Sequence, residues 1–231
     1  MPTAPRTARA TARAELTRAI LDNASAQLAE IGPAALSVRA IARDLGMASS
    51  AVYRYFPSRD ALLTALLVEA YDALGAAVEE ADAGVRRGDL RGRFRAMALA
   101  LRTWAVDNPH QYALAYGSPV PGYAAPGDTV APAQRVTYAL LGLVRDAQQS
   151  GRRPHGPERV SAAEKAAVAP VTAFVAPPLS PADAVRALIA WSTLVGHVSL
   201  ELFGHMHRGV LDYDAHHATV VDQLAADLGL S

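Results

Sequence analysis

The sequence predicts an all-α protein, with a small N-terminal domain over residues 1–57 and a larger helical domain over 58–231. Three observations carry that expectation. No segment sustains the apolar/polar alternation that a half-buried strand needs, whereas several place apolar residues at spacings of three and four. Glycine and proline stand at the ends of those segments, where helices stop. Hydrophobic residues make up 51% of the 231, enough for a chain of this length to bury a core.

Leu16, Ile20, Ala24, Leu28 and Ile31 mark the first helix, which Gly32 and Pro33 end; residues before about Ala12 read as a mobile arm carrying Arg6 and Arg9, with Arg13 and Arg18 following. Ser37 is placed to cap a second helix that buries Val38, Ile41, Ala42 and Leu45, at i, i+3, i+4 and i+7. Gly46 breaks it. A short third helix from about Ser49 to Tyr55 then turns Val52 and Phe56 inward and leaves Ser49, Ser50, Tyr53 and Arg54 outside. Pro57 stops this helix, Ser58 can cap the next, and Asp60 suits the dipole of that helix's first turn. A two-turn helix held by two apolar residues, with hydrogen-bonding groups on its other face, is poorly suited to a core and well suited to a DNA major groove. Two short helices around a glycine turn, the second one presented outward, are helix-turn-helix geometry.

Residues 37–63 also resemble the DNA-binding segment of the TetR family of transcriptional repressors. The shared elements are Ser37, Ile41-Ala42, the Gly46 turn, Tyr53 with Phe56, and Arg59 before Leu62-Leu63; with the preceding helix the resemblance covers about 50 residues. It implies that Ser37 and Arg39 approach the DNA backbone, that Ser49, Ser50 and Tyr53 reach base edges or phosphates, and that Arg59 grips a phosphate. Arg54 joins them by its outward phase, and Tyr55 completes the candidate set. For Tyr53 the other reading is a ring packed on the first helix. Two departures stand out: Ala48 occupies a position where the family often has a capping serine, and Ala51 one where a hydroxyl is common. Ser49 is expected to take over the cap, and Ala51 offers a methyl to thymine.

Charge is consistent with this assignment. The chain is neutral overall, but residues 1–60 hold eight arginines against five acids. Cysteine is absent, which excludes disulfides and thiolate chemistry. No apolar run approaches the roughly 18 residues of a membrane span, and the arginine-bearing start lacks a signal peptide's apolar core, so no membrane partner is expected and the cytoplasm is the expected location.

A long fourth helix should run from residue 58 to about Val85 and link the two domains, and a fifth is striped by Leu90, Phe94, Met97, Leu101 and Trp104 before Asn108-Pro109. A short helix and a Pro/Gly-rich loop follow, then a helix marked by Val136, Leu140, Leu143 and Val144, a segment with helix signal from Pro157 to about Ala169, and two apolar C-terminal helices. The run from Trp191 through Gly196 to His205 and the segment from Asn108 to Tyr123 resemble one C-terminal subclass of the TetR family. In such repressors the last two helices pair with those of a second subunit, which implies a homodimer with Gly196, Phe203, Val220 and Leu224 at its interface. Gly196 and Gly204, read as mid-helix residues, favour close helix approach there. Met97, Trp104, Tyr112, Tyr116, Tyr123, Trp191 and His197 are candidates to line a small-molecule effector pocket, each with core filling as its other reading.

His197, Glu201 and His205 share a helix face by spacing, yet without cysteine they do not amount to an expected metal site, and His216-His217 point to two faces. No cofactor is expected. No GxSxG, P-loop, GxGxxG or HExxH string occurs, so catalysis has no motif behind it. The sequence therefore reads as a ligand-responsive, DNA-binding transcriptional regulator acting on a double-stranded operator. The alternatives are a helical small-molecule-binding or protein-interaction protein without DNA binding and, more remotely, a helical-bundle hydrolase.

Overall fold

The computed structural model describes residues 8–151 and 160–230, and among them every regular element is helical. In chain order these are α1 (Ala8–Ile31), α2 (Val38–Asp44), α3 (Ser49–Val52), α4 (Arg59–Ala83), α5 (Leu90–Asp107), α6 (Pro109–Tyr116), α7 (Val130–Gln149), α8 (Ala162–Ala167), α9 (Ala169–Thr172), α10 (Pro181–Leu202) and α11 (Tyr213–Asp227), with 3-10 turns at Pro33–Ala35 and Gly127–Thr129. The chain forms two compact units. The first holds residues up to Ala70 together with His110–Thr129; the second holds Tyr71–Pro109 and everything from Val130 onward.

In the first unit, Ile20, Leu21 and Ala24 of α1 pack with Val38, Ile41 and Ala42 of α2, Val52, Phe56, and Leu62, Leu63 and Leu66 of α4. Val120, from the Pro/Gly-rich loop after α6, is buried in the same core, with Leu114 and Tyr123 packed against it. The Tyr123 hydroxyl lies 3.0 Å from Thr64 Oγ1. The sequence placed this loop in the second domain; the structure builds it into the first unit because its apolar side chains complete that core.

The second unit is a helical bundle in which α5 packs against α7, α10 and α11, and α10 packs against α7, α9 and α11. Arg93 of α5 is buried at its heart, and its guanidinium donates to both carboxylate oxygens of Asp82 (2.7 and 3.0 Å) and to Asp146 Oδ2 (2.8 Å). A charge is tolerated there because two carboxylates surround it. Desolvation opposes its ionisation, but those partners hold the Arg93 guanidinium more basic than a free one.

Several expected boundaries shift. α1 begins at Ala8, so Arg9 lies in regular helix and not in an arm, and Arg6 lies outside the described residues. Gly204 is not in mid-helix: α10 ends at Leu202, Phe203 caps it, and Gly204 takes a left-handed φ of 76° with its N–H on Glu201 O and the His205 N–H on Leu200 O. Those paired bonds satisfy the last carbonyls of the helix in the way glycine-ended helices commonly do. The helix signal over 157–169 becomes α8 followed by α9, with 157–159 outside the described residues. α4 is long and apolar enough to cross a bilayer by length and composition. Its apolar character is spent inside the protein, where Leu62, Leu63, Leu66, Leu67, Leu74 and Val78 are buried.

Candidate nucleic-acid interface

The reading segment is assembled by local rules. Ser37 caps α2, its Oγ accepting the Ala40 N–H at 3.3 Å, and the buried Gln27 carbonyl takes the Ser37 N–H. Gly46, at φ 64°, closes the helix: its N–H reaches Arg43 O and the Met47 N–H reaches Ala42 O at 2.7 Å. Only glycine adopts that φ without penalty, so the turn angle between α2 and α3 is fixed by this residue. Met47 packs against the core, and Val52 and Phe56 are buried on the inner side of α3 and its extension. The regular part of α3 is a single turn, prolonged by the Tyr53, Tyr55 and Phe56 N–H groups bonding back to Ser49 and Val52 carbonyls.

That anchoring leaves an outward face. Ser50, Tyr53 and Arg54 are exposed, Tyr53 by 43%. Arg39 and Arg43 of α2 are exposed beside them, and among the described residues neither Arg39 nor Arg54 has an ion-pair partner. Ser49 is half-buried and stands at the first helical position; Ala48 occupies the cap and supplies no side-chain bond, so the expected transfer of the cap to Ser49 does not occur. Tyr55 turns toward the core, and the Arg13 guanidinium lies 5.0 Å from its ring centroid. Arg18 is held by Asp22 and by both carboxylate oxygens of Glu69.

Arg59 has a structural occupation that its sequence position did not reveal. Its Nη2 donates to Pro33 O at 2.7 Å and to Ala34 O at 3.0 Å, pinning the 3-10 turn between α1 and α2 to the start of α4. Ser58 caps α4 through the Ala61 N–H, as the sequence suggests.

Residues 20–66 match the family described as bacterial regulatory proteins, tetR family, and residues 94–224, more than half of the chain, match the tetracyclin repressor-like C-terminal domain. The chain belongs to the TetR family. Its relatives include the HTH-type transcriptional regulators Rv1816 of Mycobacterium tuberculosis and Mb1846 of Mycobacterium bovis, each 39% identical over 216 residues, 87% of this chain and 86% of the relative. Among solved structures, SCO4313, described as a regulatory protein, superposes with a TM-score of 0.78 at 32% identity, covering 96% of this chain and 98% of that one. A protein of unknown function from Rhodococcus sp. RHA1 follows at 0.69 and 27%, covering 90% and 93%. This is a DNA-binding transcriptional regulator of TetR type, with its helix-turn-helix inside the matched N-terminal segment.

The TetR-type C-terminal region disperses the seven candidate effector residues. Tyr112, Tyr116 and Tyr123 belong to the first unit, where the Tyr112 and Tyr116 rings lie 5.1 Å apart. Met97 and Trp191 meet in the second, on a small apolar cavity of about 20 Å³ shared with Phe94, Leu101, Leu140 and Leu194. The Trp191 Nε1–H is buried with no hydrogen-bond partner among the described residues. Trp104 is half-buried and does not line that cavity. His197 is buried elsewhere, its ring 5.2 Å from that of His216 and stacked 5.3 Å from that of His217. The two neighbouring histidines therefore both reach His197, which the expectation of two divergent faces missed. Of the His197, Glu201 and His205 series, Glu201 is taken by Arg102 at 2.7 and 2.8 Å and His205 lies past the helix end.

Burial lowers the pKa of His197, and it lowers that of His217 to about 4, helped by the nearby His197 and Arg102. Arg102 is itself held strongly basic by Glu201, with Asp214 as a further partner. Of the candidate interface residues, Gly196 is half-buried, Phe203 is exposed, Val220 is half-buried and Leu224 is buried within its own subunit.

Proposed function

We propose that this TetR-family regulator is a homodimeric repressor that holds a palindromic operator and releases it when a small apolar effector binds. The observation that carries the reading is the outward face of Ser50, Tyr53 and Arg54 on a helix fixed from within by Val52 and Phe56. Arg39 and the free donor capacity of the Ser37 hydroxyl would meet phosphates, since a hydroxyl that accepts a cap bond still has its own proton to give. Ser49 and Tyr55, less exposed, would contribute at the edge.

Dimerisation is supported by a stripe on α10. Ile189, Thr193, Gly196, Leu200 and Phe203 recur at spacings of four and three, and Ile189, Leu200 and Phe203 are large apolar side chains left exposed. Such a seam suits a partner helix. Val220 would stand beside it, while Leu224 supports it from within.

The effector would enter between the helices around Met97 and Trp191. A cavity of about 20 Å³ has room for little more than a water molecule. An apolar effector must therefore part the helices to bind, and that displacement is the signal; an acceptor on it would take the buried Trp191 N–H. Work on the chromosome would put the protein in the cytoplasm.

The test is recovery of bound fragments from genomic DNA followed by footprinting. The expected site is a two-fold repeat whose half-sites lie about 34–36 Å apart, or a multiple of it. Arg54→Ala should weaken specific binding by about 1–3 kcal/mol and relax one base preference per half-site. Unchanged affinity and preference would remove Arg54 from the interface.

A further inference from the structure

The inward stripe of α1 has a charged continuation. Ile20, Ala24 and Leu28 are buried at spacings of four, Thr17 is half-buried before them, and the same phase one turn earlier is Arg13. The apolar core has ended at that level, and the arginine is exposed. Its guanidinium lies 5.0 Å from the ring centroid of the half-buried Tyr55, in the short extension of α3 that also carries Tyr53 and Arg54.

Arg13 and Arg18 stand on the same helix and differ in what holds them. Arg18 is neutralised by Asp22 and Glu69. Arg13 has no ion-pair partner among the described residues, and residues 1–12 contain no acid that could supply one. The ring attracts the cation through its quadrupole, which leaves the five N–H donors of the guanidinium for oxygen acceptors. Ala10, Ala14 and Thr17 are small and border an open cleft beside it, so an anion can reach it.

A cation fixed on a ring next to a DNA-reading helix has phosphate as its natural partner. The major groove is about 12 Å wide and a helix with its side chains about 10–12 Å across, so groups flanking a helix seated there stand against the strands. We propose that Arg13 is a phosphate contact of this DNA-binding head, and that Tyr55 serves the interface by positioning Arg13 and not by touching DNA. The proposal rests on the assignment of the Tyr53 and Arg54 face to the groove, and it adds α1 to the helices that meet the strands.

The experiment measures the affinity of the full-length protein for a random-sequence DNA duplex, by fluorescence anisotropy, between about 50 and 200 mM salt. Phosphate contacts act on every sequence, so this probe suffices for them. Arg13 is exposed, and Arg13→Ala should fold as the wild type does while the slope of log K against log salt becomes shallower by about 0.9 for each head bound. Tyr55→Leu should lower affinity in the wild type and have no further effect in Arg13→Ala, and Tyr55→Phe, which keeps the ring, should restore what leucine loses. A further loss from Tyr55→Leu in the Arg13→Ala background would overturn the positioning role. If Arg13→Ala leaves slope and affinity unchanged while Arg54→Ala relaxes base preference on the recovered operator, this inference falls and the reading face stands; a wild-type protein that binds no duplex removes both.

Discussion

Acidification should destabilise the second unit through His217, by an amount that the structure sets. In the folded chain its pKa is lowered to about 4 by burial and by the neighbouring His197 and Arg102, against an ordinary value of 6.5. The unfolded chain therefore takes up the proton first. Stability is complete above pH 6.5, falls as the pH drops toward 4, and loses nothing further to this group below that. Within the window each pH unit costs about 1.4 kcal/mol, which by pH 5 amounts to about 2 kcal/mol per protomer. For a chain of this size that is a fall of roughly 4–8 °C in melting temperature. His197, also lowered by burial, acts with the same sign.

The assay is thermal unfolding of the wild type and His217→Leu from pH 7.5 to 5 at fixed protein concentration, because the proposed dimer would make the melting temperature concentration-dependent. Carboxylates such as Glu79, whose pKa the Arg135 ion pair lowers from the ordinary 4.5, stay ionised across this range in both proteins and cancel in the difference. The wild type should lose about 2 kcal/mol more than the variant by pH 5. Parallel curves would refute the reasoning, since they would mean that water or a partner already solvates His217.

Arg59→Ala should cost about 1.5–3 kcal/mol of folding stability through the Pro33 and Ala34 carbonyls; a variant with an unchanged melting temperature but a shallower salt dependence of DNA binding would make it a phosphate contact instead. Arg93→Ala should cost about 3–5 kcal/mol in urea denaturation, because it removes the buried guanidinium that Asp82 and Asp146 share and leaves these half-buried carboxylates only the outer Arg87 and Arg145. Gly196→Leu has no neighbour within 4 Å of an added Cβ and should leave the subunit folded, yet sedimentation should show monomers with weakened operator binding; a stable dimer would move the interface away from α10.

What the sequence made legible was whatever a short stretch of chain decides for itself. The Ser37 cap, the Gly46 turn, the inward Val52 and Phe56, and the Ser58 cap each depend on residues within about one helical turn, so spacing and turn chemistry identify them. The bonds of Arg59 were not legible because the carbonyls that hold it lie 25 and 26 residues upstream. Nothing in the sequence singles out Arg93, because its partners come from two other helices. His217 gave no periodic signal of burial; only the packing of α5 and α10 against α11 closes it off. The candidate effector residues share aromatic character but not a location, and composition cannot distinguish those cases.

Val120 bears on how such regulators exchange parts. The chain leaves the first unit after Ala70, re-enters it at His110 and leaves again at Thr129, having left a valine in the core and a tyrosine hydroxyl beside Thr64. A chimera cut at a single junction near residue 58 or 70 would transplant a head with a gap in its interior and would leave the donor's loop behind with nothing to plug. Moving this head onto another body therefore requires the loop around Val120 as well as the helix-turn-helix, although the two lie far apart in sequence.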